Sequence, residues 1–134
     1  MLSVFPTLFS YSLVVPFIFR LVIGFAFIWF GYRNGFKDRD VKIKLLANFK
    51  LSSSPIWLWL IALIEAIGGL LLIAGLYTQV VALVFSIMLL LTIIGKHKRA
   101  ETLNLSQETL FLLLLVTTSL LFLGPGFYAF DLPL

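Results

Sequence analysis

Four long apolar stretches divide the chain, and short charged or polar segments separate them. The apolar stretches cover residues of about 11–32, 55–77, 80–95 and 107–123. Each is close to the roughly 20 residues that an α-helix needs to cross a hydrocarbon layer about 30 Å thick. The third stretch is short and is expected to extend into its flanks. The pattern predicts an all-α, integral membrane four-helix bundle in which residues 1–134 form one transmembrane domain.

Local signals indicate where these helices begin and end. Ser54 can cap the second span, and Pro55 suits the first helical position because no backbone donor is needed there. The turn at 77–79 is too short for anything but a hairpin between the second and third spans. Gly124-Pro125-Gly126 is a stop signal for the fourth span.

The segment at about 33–54 is a basic loop whose local structure the pattern leaves open. Residues 41–46 fit either a short interfacial helix or an alternating strand. We favour the helix, because a lone strand would leave its backbone groups unpaired beside lipid.

Composition narrows the function classes. The chain is 61% hydrophobic with a mean hydropathy of +1.11, which leaves no room for a soluble catalytic domain. It has no cysteine, and its single histidine, His97, is expected to be a solvated loop residue. Thiolate, iron–sulfur and bis-histidine haem sites are therefore excluded for this chain alone, and we assign it no metal site and no catalytic residue. The net charge of +4 does not indicate nucleic acid, because the cations flank apolar spans.

The distribution of cations predicts the orientation. Of the ten Lys and Arg residues, six lie in the 33–54 loop, three in the 96–106 loop, and the last is Arg20. The positive-inside rule places both loops in the cytoplasm and both termini outside, in a multi-pass protein of the plasma membrane.

Arg20 and Glu65 are the ionisable residues inside the predicted spans, where a charge is costly and usually has a partner or a task. Counting from Tyr11 and Tyr77 places them at nearly one depth and predicts an Arg20–Glu65 ion pair. This pair would either fix helix register or line a quinone or lipid pocket, in which Glu65 could exchange a proton.

Small residues lie within one turn of both charges: Gly24 near Arg20, and Gly68 and Gly69 near Glu65. Their ordinary role in membranes, which we also expect for Gly31, is to let helices approach closely. The alternative is that Gly24, Gly68 and Gly69 line the pocket for a flat ring.

Three segments resemble the DoxX/DoxD family of small four-helix membrane proteins. They are Arg20-Leu-Val-Ile-Gly24 with Gly31, the run from Glu65-Ala-Ile-Gly-Gly to Gly75-Leu-Tyr-Thr78, and Gly124-Pro-Gly-Phe-Tyr-Ala-Phe-Asp131. One departure is Phe30, since the family often has histidine there, and the 33–54 loop matches the family poorly. The resemblance implies a membrane subunit without its own cofactor in a quinone-linked oxidoreductase or respiratory complex.

Three functions follow in order of preference. The first is a quinone-proximal or anchoring subunit of a larger redox complex, with quinone as the only cofactor expected nearby and lipids and other membrane subunits as partners. The second is a purely structural, accessory subunit that packs against partners and lipid. The third is a small multidrug-type proton-coupled transporter, which we place last because Arg20 would neutralise the carboxylate of Glu65.

Overall fold

The computed structural model describes residues 7, 11–37, 39–47, 55–98, 106–126 and 128–130. Within these ranges the regular structure is entirely helical, as predicted. The helices are α1 (Val14–Phe36), α2 (Arg39–Ala47), α3 (Pro55–Ala74), α4 (Thr78–Lys98) and α5 (Gln107–Leu123).

The helix ends follow the sequence signals closely. α3 begins at Pro55 and α5 spans 107–123, both as predicted. The side chain of Ser106 caps α5 by accepting a hydrogen bond of 3.2 Å from the backbone of Thr109. The predicted cap at Ser54 lies outside the described residues.

Three helices differ from their predicted bounds, since α3 also ends at Ala74 and not near residue 77. α1 runs on to Phe36, and α4 includes Lys96, His97 and Lys98, which the sequence analysis assigned to a loop. Cations are favourable at the carboxyl end of a helix, so their charge does not end α4. The segment around 41–46 is helical, which confirms the helix over the strand.

The four long helices form a ring. α1 packs most extensively on α3, α4 packs on α5, and contacts of α1 with α5 and of α3 with α4 close the ring. At its centre the rings of Phe27 and Phe85 stack with centroids 3.6 Å apart.

The outside of this bundle is apolar. Helices α1, α3 and α4 are long and apolar enough to span a membrane, and α5 is a shorter apolar helix of 17 residues. Large side chains such as Phe25, Leu70 and Phe122 are exposed on it. A surface of this kind is unfavourable in water and suits contact with lipid chains.

Candidate functional site

Arg20 is the centre of the polar site. It lies in the second turn of α1 and is only 1% exposed. Its Nη1 donates to the carbonyl oxygen of Pro125 at 2.6 Å, and its Nη2 donates to the carbonyl oxygen of Tyr128 at 3.2 Å. The guanidinium carbon also lies 5.3 Å from the centre of the Phe17 ring. Carbonyl dipoles and an aromatic face thus solvate a cation that has left water.

Glycines let the backbone approach this guanidinium. Gly75, which follows α3, has φ +74°, and a methyl group there would lie 2.7 Å from Nη1 of Arg20 and from Cα of Ala129. Gly126 also has φ +74°, and a methyl group there would lie 2.8 Å from the carbonyl oxygen of Leu13. The chain after α5 therefore folds over the start of α1 and the end of α3, and we call Arg20, Gly75, Pro125 and Tyr128 the Arg20 site.

Glu65 lies at a different depth from Arg20. The Arg20 guanidinium contacts Gly75, which directly follows α3. Glu65 lies ten residues before Gly75, a separation of about 15 Å along the helix axis. Ala66, next to Glu65, instead lies beside Gly31: a methyl group at Gly31 would be 3.1 Å from the Ala66 nitrogen. This register is inconsistent with the predicted Arg20–Glu65 ion pair. Glu65 is nevertheless buried, at 4% exposed.

The glycines predicted to line a pocket are occupied by helix packing. A methyl group at Gly69 would lie 2.6 Å from the carbonyl oxygen of Gly24, and one at Gly24 would lie 2.9 Å from the carbonyl oxygen of Gly69. At Gly68 it would lie 2.5 Å from the ring of Phe85. These contacts support close helix approach, and they leave no space for a flat ring at Gly24, Gly68 or Gly69.

Open clefts lie at both ends of the bundle. One, of about 460 Å³, is next to the Arg20 site and is lined by residues that include Tyr77, Gln79, Pro125 and Gly126. A second, of about 340 Å³, lies between α4 and α5 with the exposed His97 in its wall. His97 is thus a residue of the last helical turn, not of a loop.

Other predicted positions fall elsewhere. Phe30, at the position of the family's histidine, packs edge to face against Phe27 with ring centroids 5.8 Å apart. Asp131 lies outside the described residues. Within the part of the chain that the structure describes, no three His, Asp or Glu side chains lie together as a metal site would require.

Two acceptors of Arg20, the carbonyl oxygens of Pro125 and Tyr128, could not be identified from side-chain chemistry, because they belong to the backbone. The available signal was the glycine content of two of the three resembling segments. Gly75 belongs to the second segment, Pro125 and Tyr128 belong to the third, and both meet Arg20 of the first. From the sequence, Gly124-Pro125-Gly126 was interpreted as a helix stop and as part of the third segment, and neither interpretation placed it beside Arg20.

A ring of apolar helices with Arg20 and Glu65 buried inside and many large hydrophobic side chains exposed outside defines a multi-pass α-helical membrane protein. A family model described as DoxX matches residues 15–98, which covers α1 to α4. The chain therefore belongs to the DoxX family. The matched range ends before the segment at 124–131. No curated protein and no solved structure matches the chain.

Proposed function

We propose that this DoxX-family chain is a membrane-anchoring subunit of a larger redox or respiratory assembly. The observation that carries the anchoring role is the contrast between the inside and the outside of the bundle. Two donor groups of Arg20 form hydrogen bonds with backbone carbonyls of the same chain, while the wide outer surface is apolar. A partner subunit would therefore bind to the apolar outer surface, by lateral packing of its helices within the membrane.

The redox part of the proposal rests on the family resemblance. In this proposal the quinone is near the assembly and not inside this bundle. Its ring would lie in lipid beside the bundle, because Gly24, Gly68 and Gly69 are packed against neighbouring atoms. A purely accessory role, without quinone nearby, follows from the same anchoring geometry.

The proposed orientation follows the cations. Both termini and the turn between α3 and α4 face outward from the plasma membrane, and the 33–54 and 96–106 loops face the cytoplasm.

Site-directed photo-crosslinking in the native membrane tests the anchoring role. A photoreactive residue would replace one exposed side chain on each long helix, at Phe25, Leu70, Ile87 or Phe122. We expect a cofactor-bearing membrane subunit to be captured from one face and not from the others. The matched control is the same residue at Leu72, which is fully buried. Capture of lipid alone from all four faces would contradict the proposal.

Extraction of the captured assembly separates the two versions of this role. Quinone that co-purifies with the assembly, and a quinone-linked activity that is lost when the chain is deleted, would support the redox role. An assembly that keeps its quinone-linked activity without the chain would leave only the accessory role.

Proton-coupled transport needs separate treatment, since the register removes the argument that Arg20 neutralises Glu65. Glu65 is buried, and none of the clefts described above is lined by it. A transporter must expose its carboxylate to its cargo, so this geometry favours anchoring. Proton-driven uptake of a lipophilic cation by the purified chain in liposomes, lost in Glu65→Gln, would reverse that preference.

A further inference from the structure

We propose that the corner between α1 and α2 binds the headgroups of anionic phospholipids. The corner is defined by Lys37, Arg39 and Lys44. Lys37 follows the last residue of α1, Arg39 opens α2, and Lys44 lies in the last turn of α2. All three side chains are exposed.

The charge of this corner favours an anion. Asp40 is the exposed carboxylate described on α2, and its spacing of four residues from Lys44 offsets part of that cation's charge. Asp38 adjoins Lys37 and Arg39 in the sequence, so the three cations that define the corner face a formal count of two carboxylates, Asp38 and Asp40. The corner therefore keeps an excess of positive charge.

Aromatic side chains place the corner at the level of the headgroups. The rings of Trp29, Tyr32, Phe36 and Trp59 are all exposed and form a chain, with centroids 6.3, 5.4 and 5.6 Å apart in that order. Exposed Trp and Tyr rings prefer the boundary between hydrocarbon and water. α1 has 23 residues, or about 34 Å, so its end also reaches that boundary. Lys37 and Arg39 follow directly.

α2 is held against the bundle. It contacts both α1 and α3, and Ile43 in its middle is half-buried. A short basic helix fixed at this depth lies along the membrane surface. Its cations face the layer in which lipid phosphates are concentrated, which is why we commit to a lipid and not to an acidic segment of a protein. Each cation at such a surface is expected to favour an anionic headgroup by roughly fivefold, before the offset from Asp38 and Asp40.

Tryptophan fluorescence can report on this site directly. The three tryptophans, Trp29, Trp57 and Trp59, all lie toward the α2 end of α1 and α3. The full chain would be reconstituted in phosphatidylcholine vesicles that contain equal fractions of brominated phosphatidylglycerol or brominated phosphatidylcholine. Because Asp38 and Asp40 offset two of the three cations that define the corner, the expected preference is that of about one net charge. We therefore expect brominated phosphatidylglycerol to occupy the positions that quench the tryptophans about fivefold more than brominated phosphatidylcholine does. Because both leaflets contain the lipid, the result does not depend on orientation.

Three variants make the result specific. Lys37→Gln, Arg39→Gln and Lys44→Gln together should bring the ratio close to one, and Asp40→Asn should raise it. The matched control, Lys98→Gln with Arg99→Gln, removes cations from the other basic loop and should leave the ratio unchanged. Helical content by circular dichroism identifies any variant that has lost its fold. The higher ratio expected for Asp40→Asn could not result from a loss of fold.

Two outcomes would overturn the proposal. A quenching ratio near one in the unaltered chain would show that the corner does not select anionic lipids, and an acidic protein segment would then be the alternative ligand. An equal fall in the control variant would show a general effect of net charge and no local site.

Discussion

Arg20 shows how backbone carbonyls help a single residue to carry a charge inside a membrane protein. Two carbonyl oxygens and the Phe17 face surround its guanidinium, and Gly75 makes room for it. Carbonyl groups that accept from a cation are strong partners in a low-dielectric interior. Arg20 thus fastens the chain after α5 to α1, and it does so at one end of the bundle and not at its middle.

The separation of Arg20 from Glu65 predicts that their substitutions act independently. Arg20→Gln should lower the free energy of unfolding by roughly 2–4 kcal/mol, because it removes two hydrogen bonds from a charged donor. In a double-mutant cycle with Glu65→Gln, measured by chemical denaturation in detergent, we expect additivity within about 0.5 kcal/mol. A coupling energy well above about 0.5 kcal/mol would support the predicted ion pair between Arg20 and Glu65. Arg39→Gln, at an exposed position, is the control and should change stability little.

Two glycines after α5 form a matched pair for testing the C-terminal fold. Gly124 and Gly126 both have positive φ, +76° and +74°, and Gly124 has ψ −168°, a region nearly exclusive to glycine. Alanine at either therefore costs about 1–3 kcal/mol of backbone strain before any contact is counted. A methyl group at Gly124 meets nothing within 4 Å, whereas at Gly126 it meets Leu13 and Phe17. Gly126→Ala should therefore be more destabilising than Gly124→Ala and should speed proteolysis after α5. Equal losses would show that the segment does not lie on α1.

At the scale of elements, the helices were predictable and their register was not. Long apolar runs determine where a span can form, so α3 and α5 begin at the predicted residues. The predicted depths assumed that Tyr11 and Tyr77 mark one level. Register is instead determined by close contact, and Gly24 against Gly69 shifts α1 along α3 relative to that assumption. Backbone acceptors such as the Pro125 carbonyl have no side-chain signature, so these acceptors of Arg20 were also beyond prediction.

The α1–α3 interface depends on Gly69 more than on Gly35. A methyl group at Gly69 would press on the Gly24 carbonyl, and backbone atoms cannot move aside cheaply. At Gly35 the nearest atom would be the Ala62 methyl at 3.6 Å, an ordinary contact. We expect Gly69→Ala to cost about 1–3 kcal/mol of unfolding free energy and Gly35→Ala less than about 0.5 kcal/mol, measured by thermal unfolding in the same detergent. Similar costs at both positions would contradict this packing.

At the scale of the whole molecule, the positive charge is distributed unevenly along the sequence. Arg20 is the one Lys or Arg outside the 33–54 and 96–106 loops. The charged end thus contains α2 and the end of α4, while the opposite end contains the Arg20 site. From this asymmetry we predict that the charged end lies in the cytoplasm, because the positive-inside rule favours cationic loops on that side.

Cysteine labelling in intact cells tests this orientation, and the absence of native cysteine makes it straightforward. A cysteine in place of the exposed Gln79, in the first turn of α4, should react with an impermeant maleimide in intact cells. A cysteine in place of the exposed Ala47, at the end of α2, should react only after permeabilisation, because the positive-inside rule predicts a cytoplasmic position for the two loops that contain nine cations. The unaltered chain is the blank. Labelling of Ala47→Cys but not of Gln79→Cys in intact cells would show the opposite orientation, with the Arg20 site at the cytoplasmic face.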